Sequence, residues 1–188
     1  MIKQLEKQII TQYEFIEAYD GQNEDIIKEY NELKNNELKN NNNFLIITPG
    51  HYACLLSHIK AIKNAKENKR VRELITSNGF NFAESAFQKQ IKKVRLWEEA
   101  GERCPYFPND PFTLAELLDN YDIDHIVPRS ICYDDSLANL TICPKDVNIH
   151  EKAKQTPYGA WGLTNRWKDI VTAVNGLRSM YPAKKARI

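Results

Sequence analysis

Residues 121–152 read YDIDHIVPRSICYDDSLANLTICPKDVNIHEK and decide the fold of this chain. Asp124 and His125 stand side by side between apolar residues, and Pro128 follows three places later. This pattern predicts a short strand that ends at the proline, which cannot donate to a strand ladder. Neighbouring residues on a strand face opposite sides. If Ile123 packs in the core, His125 therefore shares its side and Asp124 faces the other way.

The second half of the stretch supplies the partners of that strand. The turn residues 134–136 are followed by Asn139 and by the apolar residues 140–143, which predict a second strand. Pro144 stands where a helix can begin, and Asn148 falls within that helix. The stretch therefore predicts a ββα unit with an acid and a histidine on its first strand and an amide on its helix.

These side chains suit the hydrolysis of a phosphodiester. Carboxylate and carboxamide oxygens, as in Asp124 and Asn148, are ligands that Mg²⁺ prefers. A neutral imidazole beside such an ion, as in His125, can take a proton from an attacking water. The alternative interpretation makes His125 a core histidine that is satisfied by a backbone carbonyl.

The order of several motifs resembles the HNH nuclease domain of the type II CRISPR RNA-guided DNA endonucleases. The resemblance covers roughly residues 91–188, about half of the chain. The motifs that carry it are YDIDHIVPRS (121–130), DDSLAN (134–139), DVNIHEK (146–152), TPYGAWG (156–162), the upstream RLWEEAGERCPY (95–106), and RWKDIV (166–171) with AKKAR (183–187) in the tail.

The resemblance implies roles for individual residues. Asp124 and Asn148 would hold Mg²⁺, which Mn²⁺ can replace, and His125 would be the general base. Asn139 would be the middle asparagine of the catalytic pattern, bracing the loop rather than touching the metal. Three basic residues would contact nucleic acid: Lys152, Lys154 and Arg129.

The resemblance also implies partners. The substrate would be the target DNA strand in a guide RNA–DNA heteroduplex, with guide RNA held by the rest of the effector, and the domain would be monomeric. Two features depart from the family pattern. Leu140 replaces a basic residue, and Lys152 lies four places after Asn148.

The predicted fold is α+β and mostly helical, with a ββα-metal (HNH) core, flanking helices and an N-terminal helical hairpin. Apolar residues at three- and four-residue steps predict helices over 1–19, 23–39, 51–68, 82–100 and 165–177. In the third of these, the residues expected to face inward are Tyr52, Leu55, Leu56, Ile59 and Ile62. The predicted divisions are a hairpin and linker with an Asn-rich end (1–43), a helical lead-in (44–90) and the nuclease domain with its C-terminal helix and basic tail (91–188).

The charge of the chain indicates how it meets DNA. The formal net charge is +1, which is weak for a protein that captures DNA unaided, because phosphate neutralisation dominates such binding. Residues 151–188 nevertheless carry eight basic residues against two acidic ones. This balance favours a module that receives its DNA substrate rather than capturing it. The basic C-terminal tail would either face phosphates or simply be solvated.

The cysteines show no C-x-x-C pair, so we expect no structural zinc. A mixed zinc site is the alternative, from Cys104, Cys132, Cys143 and His150. Neither a signal peptide nor an apolar run approaching the roughly 20 residues of a membrane span is visible, which predicts a cytoplasmic chain without a membrane partner.

Two other functions stay open on the sequence. One is a free-standing HNH nuclease of the homing or restriction kind, in which the first eighty or so residues would choose the site. The other is a catalytically idle nucleic-acid-binding module that has kept the ββα shape.

Overall fold

Residues 19, 22–39, 48–180 and 182–188 are described by the structure, a computed structural model. The chain divides into two compact units, Met1–Arg70 and Val71–Ile188. The helix predicted over 1–19, apart from its last residue, and the Asn-rich end of the first predicted segment lie outside the described residues. The three-part division of the chain stays a prediction.

The first unit contains helix α1 (Glu24–Lys39) and most of helix α2 (Pro49–Ser77), which runs on into the second unit. Ile26 and Tyr30 of α1 pack against Tyr52 and Ala53 of α2. This cluster involves only the first turns of α2.

The inward face predicted for this helix is therefore confirmed at Tyr52 and Leu56, which pack in the cluster, and is wrong at the other three residues. Leu55, Ile59 and Ile62 are exposed by 43%, 38% and 57%. A three- to four-residue apolar pattern identifies a helix face, but it cannot tell how far along the helix the packing partner extends.

Helix α3 (Glu84–Glu99) forms the centre of the second unit, and its predicted apolar stripe is confirmed as core. Phe87, Ile91, Val94 and Trp97 are all buried. They belong to a cluster that includes the end of α2, helix α4 (Leu114–Asn120) and the strand residues Leu140 and Ile142. Burying this stripe fixes α3 against one face of the strand pair described next.

Two antiparallel strand pairs complete the unit. A short hairpin joins β1 (Arg103–Cys104) to β2 (Phe107–Pro111), and α4 then begins with a capping box in which Thr113 and Glu116 satisfy each other's backbone amides. Strand β3 (Tyr121–His125) pairs with β4 (Leu140–Pro144), placing Asp124 opposite Thr141 and His125 opposite Leu140.

Both faces of the β3–β4 pair are covered. Leu140 and Ile142 lie in the α3 cluster, whereas Cys143 lies in a second cluster with Tyr106 and Trp161. Because cross-strand partners share a face, His125 lies on the side of Leu140 and Asp124 on the side of the second cluster. The expected alternation of these two side chains agrees with this register.

The chain leaves β4 through a compact helical segment. Helix α5 (Lys145–Val147) continues directly as a π-helical turn (Asn148–Lys152), which closes with a hydrogen bond from the Ala153 amide to the Asn148 carbonyl at 3.1 Å. Helices α6 (Pro157–Trp161), α7 (Asn165–Gly176) and α8 (Pro182–Lys185) follow.

The predicted α+β, mostly helical fold with a ββα core is confirmed. No helix within the described ranges is both long enough and apolar enough to cross a membrane.

Ala153, which ends the π-helical turn, provides a test of this local geometry. Its φ of 48° and ψ of −120° lie in a region that L-residues avoid at a cost of about 1–3 kcal/mol. We expect Ala153→Gly to raise the free energy of unfolding by about 1 kcal/mol, after allowing for the greater entropy of glycine in the unfolded chain. Urea denaturation measures the change.

The matched control is Ala173→Gly in the interior of α7, where the backbone is helical. That substitution should lower the free energy of unfolding by about 0.5–1 kcal/mol. Equal losses at both positions would contradict the strained geometry at Ala153.

Candidate active site

Asp124 is the buried acid of this unit, with 4% of its surface exposed. The Tyr106 hydroxyl donates to its Oδ2 at 2.8 Å, and the Lys152 ammonium donates to its Oδ1 at 3.0 Å. Lys152 also donates to the backbone carbonyl of His125 at 2.8 Å. The carboxylate thus joins the hairpin, strand β3 and the π-helical turn at one point.

Burial and the neighbouring polar groups shift the pKa of Asp124 in opposite directions. Desolvation raises the pKa of Asp124 above its ordinary value, while the Lys152 ammonium and the Tyr106 hydroxyl act in the other direction. Burial, with the adjacent carboxylate, raises the pKa of Tyr106 well above its ordinary value, so its hydroxyl stays protonated and donates. Both oxygens of Asp124 keep further lone pairs, since a carboxylate offers about four acceptor positions.

Asn148 lies one π-helical turn before Lys152 and is half-buried. Side chains four residues apart lie on the same face of an α-helix, and the wider π turn keeps them nearly aligned. Because Lys152 reaches Asp124, this alignment predicts that Asn148 faces the same strand.

His125 faces the loop that joins β3 to β4. Its Nε2 lies 2.6 Å from Oδ1 of Asp135, and its side chain is 21% exposed. Arg129 also contacts Asp135 through both carboxylate oxygens, at 2.7 and 2.8 Å. The alternative interpretation of His125, a core residue satisfied by a backbone carbonyl, does not fit this partly exposed ring with a carboxylate partner.

Asn139 is fully buried and bridges the two ends of this loop. Its Nδ2 donates to the carbonyls of Val127 and Asp134, and its Oδ1 accepts from the Val127 amide at 2.9 Å. With these contacts the side chain braces the loop that carries Asp135. The role of Asn139 is structural, because its amide is already hydrogen-bonded to backbone groups.

The three basic residues expected to contact nucleic acid are placed differently from one another. Arg129 and Lys154 are exposed. Lys152 is fully buried, with its ammonium committed to Asp124 and the His125 carbonyl. The expectation that Lys152 contacts a phosphate does not fit this placement, because its ammonium group is buried and paired with Asp124.

The residues of the alternative zinc site are not brought together. Cys104 and Cys143 are buried, whereas Cys132 and His150 are exposed. Within the described ranges no three His, Cys, Asp or Glu side chains are grouped so that they could hold a metal ion. Asp124 and Asn148 fall outside this definition, because they are only two residues and one of them is an asparagine.

Three partners of the site were missed from the sequence: Tyr106, Lys152 as a partner of Asp124, and Asp135. The four-residue step between Asn148 and Lys152 was a usable signal for the second, since it puts both side chains on one helix face. Asp135 fitted a turn, and nothing local distinguished it from its neighbours.

The buried ion pair gives a stability prediction. We expect Lys152→Met to lower the free energy of unfolding by about 3–5 kcal/mol, because it leaves the Asp124 charge buried without a cation. The double variant Asp124→Leu/Lys152→Met should recover much of that loss, since it removes both charges. Lys154→Met, at an exposed lysine nearby, should stay within about 0.5 kcal/mol.

Chemical denaturation followed by circular dichroism measures all four proteins. A Lys152→Met variant as stable as the Lys154→Met control would contradict the buried pair.

Known proteins match the region of this site. Residues 104–158, which include Asp124, His125 and Asn148, match the family model described as HNH endonuclease. The chain is 37% identical over 111 residues to CRISPR-associated endonuclease Cas9 1 of Streptococcus thermophilus, which covers 54% of this chain and 10% of the relative. It is 34% identical over 102 residues to Cas9 of Campylobacter jejuni, covering 53% of this chain and 10% of that protein.

Solved structures agree on the fold. Streptococcus thermophilus Cas9 in complex with AGGA PAM superposes with a TM-score of 0.53 and 24% identity, over 71% of this chain and 14% of that one. The same protein in complex with the GGAA PAM gives a TM-score of 0.58 and 20% identity, over 86% of this chain and 17% of that one. The chain thus spans about a tenth of the length of its curated relatives.

Residues 1–94 also match a family model described as glycosyltransferase family 25 (LPS biosynthesis protein). The described residues of this range form α1, α2 and most of α3, with no strand among them. A sheet of the kind that binds nucleotides in α/β enzymes is therefore missing from that described part. The 86% coverage by a Cas9 structure exceeds what the second half of the chain can supply, so the Cas9-like fold extends into this range.

HNH nucleases generally use a divalent metal ion. The HNH match, the Cas9 relatives and the fold agree with one another and with the ββα unit around Asp124. Residues 104–158 thus match the HNH endonuclease family, and about half of the chain is similar to part of the Cas9 endonucleases.

Proposed function

We propose that this domain hydrolyses a phosphodiester of the DNA strand that is paired with guide RNA, within a larger cytoplasmic CRISPR effector. The observation that carries the proposal is the junction at the end of β3. There Asp124 and His125 are adjacent in the chain. Lys152, which lies in the same π-helical turn as Asn148, donates hydrogen bonds to the Asp124 carboxylate and to the His125 carbonyl.

The residues present fit a magnesium ion of the kind that keeps most of its waters. Asp124 retains lone pairs beyond those used by Tyr106 and Lys152, and Asn148 adds a carboxamide oxygen from the facing helix. One or two protein oxygens plus a substrate phosphate are a usual Mg²⁺ ligand set. A bound Mg²⁺ or Mn²⁺ would stabilise the negative charge that builds on the phosphate oxygens during hydrolysis.

His125 is the proposed general base. It takes a proton from the attacking water, a role that contributes roughly 10²- to 10⁴-fold to the rate. Its place next to Asp124 in the backbone fixes the base relative to the acidic ligand. Asn139 supports this arrangement by bracing the loop beyond the histidine.

The proposed partners follow from charge and from the relatives. With a net charge of +1, the domain has little electrostatic affinity of its own for DNA. In effectors of this kind, pairing between guide and target selects the sequence and the protein holds the duplex by its backbone. Arg129 and Lys154 are the exposed cations near the site proposed to contact phosphates, and the domain acts as a monomer.

The first test removes the base. We expect His125→Ala to lower the cleavage rate of guide-paired DNA by at least about 100-fold, because the variant loses the group proposed to accept the proton of the attacking water. The rate is measured with the effector that contains this domain, in excess Mg²⁺, and circular dichroism checks that the fold is kept. Cleavage by the variant within tenfold of wild type would reject the role.

The second test concerns the metal ligands. We expect Asn148→Ala to weaken Mn²⁺ binding, measured by electron paramagnetic resonance, and to lose cleavage that higher Mg²⁺ partly restores. Asn175→Ala, at an exposed asparagine of α7, is the matched control and should change neither. Metal binding and metal dependence identical to wild type would argue against Asn148 as a ligand.

The same experiments separate the two other candidate functions. A double-strand cut made by this chain alone without a guide would favour a free-standing homing or restriction nuclease. Failure to nick DNA with either metal, even within a guide-loaded complex, would favour the idle binding module.

A further inference from the structure

The contact between His125 and Asp135 determines which ring nitrogen carries a proton. Nε2 lies 2.6 Å from Oδ1 of Asp135, and a nitrogen and a carboxylate oxygen approach so closely only with a hydrogen between them. Hydrogen bonds from Arg129 and His125 hold the pKa of Asp135 below its ordinary value, so the carboxylate is ionised and has no proton to give. The hydrogen is therefore on Nε2.

The neighbouring arginine agrees with this assignment. The Nε of Arg129 lies 3.2 Å from Nε2 of His125 but 2.9 Å from Oδ1 of Asp135. Two N–H groups cannot donate to each other, and the carboxylate oxygen accepts from both. Arg129 and His125 thus share one acceptor.

Asp135 is itself held in place. Arg129 donates hydrogen bonds to both of its carboxylate oxygens, a fixed geometry that a lysine could not supply. The preceding residue is fixed as well, since Asp134 accepts from the Ser136 amide at 2.8 Å and from Arg187 at 2.5 Å. Asn139 donates to the Asp134 carbonyl from the other side. The carboxylate therefore has a rigid support, as an orienting group requires.

We propose that Asp135 is a positioning residue for the general base: it holds the proton of His125 on Nε2, which makes Nδ1 the basic nitrogen. The inference rests on the proposed function of His125. In the reaction, Nδ1 takes one proton from the attacking water, and the ring becomes an imidazolium that still donates from Nε2 to the ionised Asp135. The carboxylate then stabilises the positive charge without taking the proton.

The alternative role for Asp135 is inhibitory. A carboxylate that occupies both His125 and Arg129 could stand where a DNA phosphate has to bind, in which case its removal would speed cleavage. The two roles predict changes of opposite sign.

The first measurement is kinetic and uses the effector that contains this domain. We expect Asp135→Ala to lower kcat by about 10- to 100-fold, the usual effect of losing a group that orients a functional side chain, with little change in KM for DNA. Asp135→Asn should recover most of the rate, because its amide oxygen can still accept the Nε2 proton. Asp169→Ala, at an exposed aspartate of α7, is the matched control and should leave the rate unchanged.

The second measurement does not depend on activity. Long-range ¹H–¹⁵N correlation spectra of this chain, without metal or DNA, report the tautomer of His125. Wild type should show protonated Nε2 and bare Nδ1, and Asp135→Ala should shift the population toward protonated Nδ1. Native dispersion of the same spectra checks that the variant is folded, and Asp135→Asn gives a second reading if Asp135→Ala is not.

These outcomes separate the two proposals. An Asp135→Ala variant that cleaves as fast as wild type or faster, or an unchanged tautomer, overturns the positioning role. If His125→Ala remains active, the proposed base is wrong, while the tautomer result still reports on the contact itself.

Discussion

The architecture of the site depends on a single buried contact, the ion pair between Asp124 and Lys152. Its members are 28 residues apart in the chain and come from a strand and from the π-helical turn that follows the next strand. The Tyr106 hydroxyl brings a third segment, the β1–β2 hairpin, to the same carboxylate. A buried ion pair adds little net stability compared with apolar packing, but it penalises every arrangement that separates its partners. Here that penalty keeps the strand and the helix in one relative position.

The loop between the two strands is ordered by different means on each side. Inside, the buried amide of Asn139 satisfies backbone groups at both ends of the loop. Outside, Arg129 and Arg187 hold the adjacent carboxylates Asp135 and Asp134. His125 stands at the start of this loop, so the orientation of its ring depends on a segment that has no strand and only the short 3₁₀ helix Leu137–Asn139. Tertiary contacts supply the rigidity that a helix or strand would otherwise give.

Local patterns were sufficient for much of this fold. The α3 stripe and the two strands were predictable because apolar spacing encodes them directly, and the adjacency of Asp124 and His125 is written in the sequence. The burial of Lys152 was not predictable in the same way. A lysine in a helix is normally exposed, and only the distant Asp124 and the His125 carbonyl make its burial tolerable. Asp135 was missed for a related reason, because its partners are set by how the loop folds back. The exposure of Ile62 shows the same limit, since periodicity does not reveal where a neighbouring helix stops.

The π-helical turn has a consequence for how this site tolerates change in chain length. A π turn holds one residue more than an α turn between the same two levels of a helix. Asn148 and Lys152 bound this turn, and the residues between them, including Ile149 and His150, are exposed. An extra residue can therefore be absorbed as an outward bulge while the two flanking side chains stay on one face of the helix. The spacing between an amide and a lysine in such a helix is then a poor guide to whether the two side chains lie on the same face.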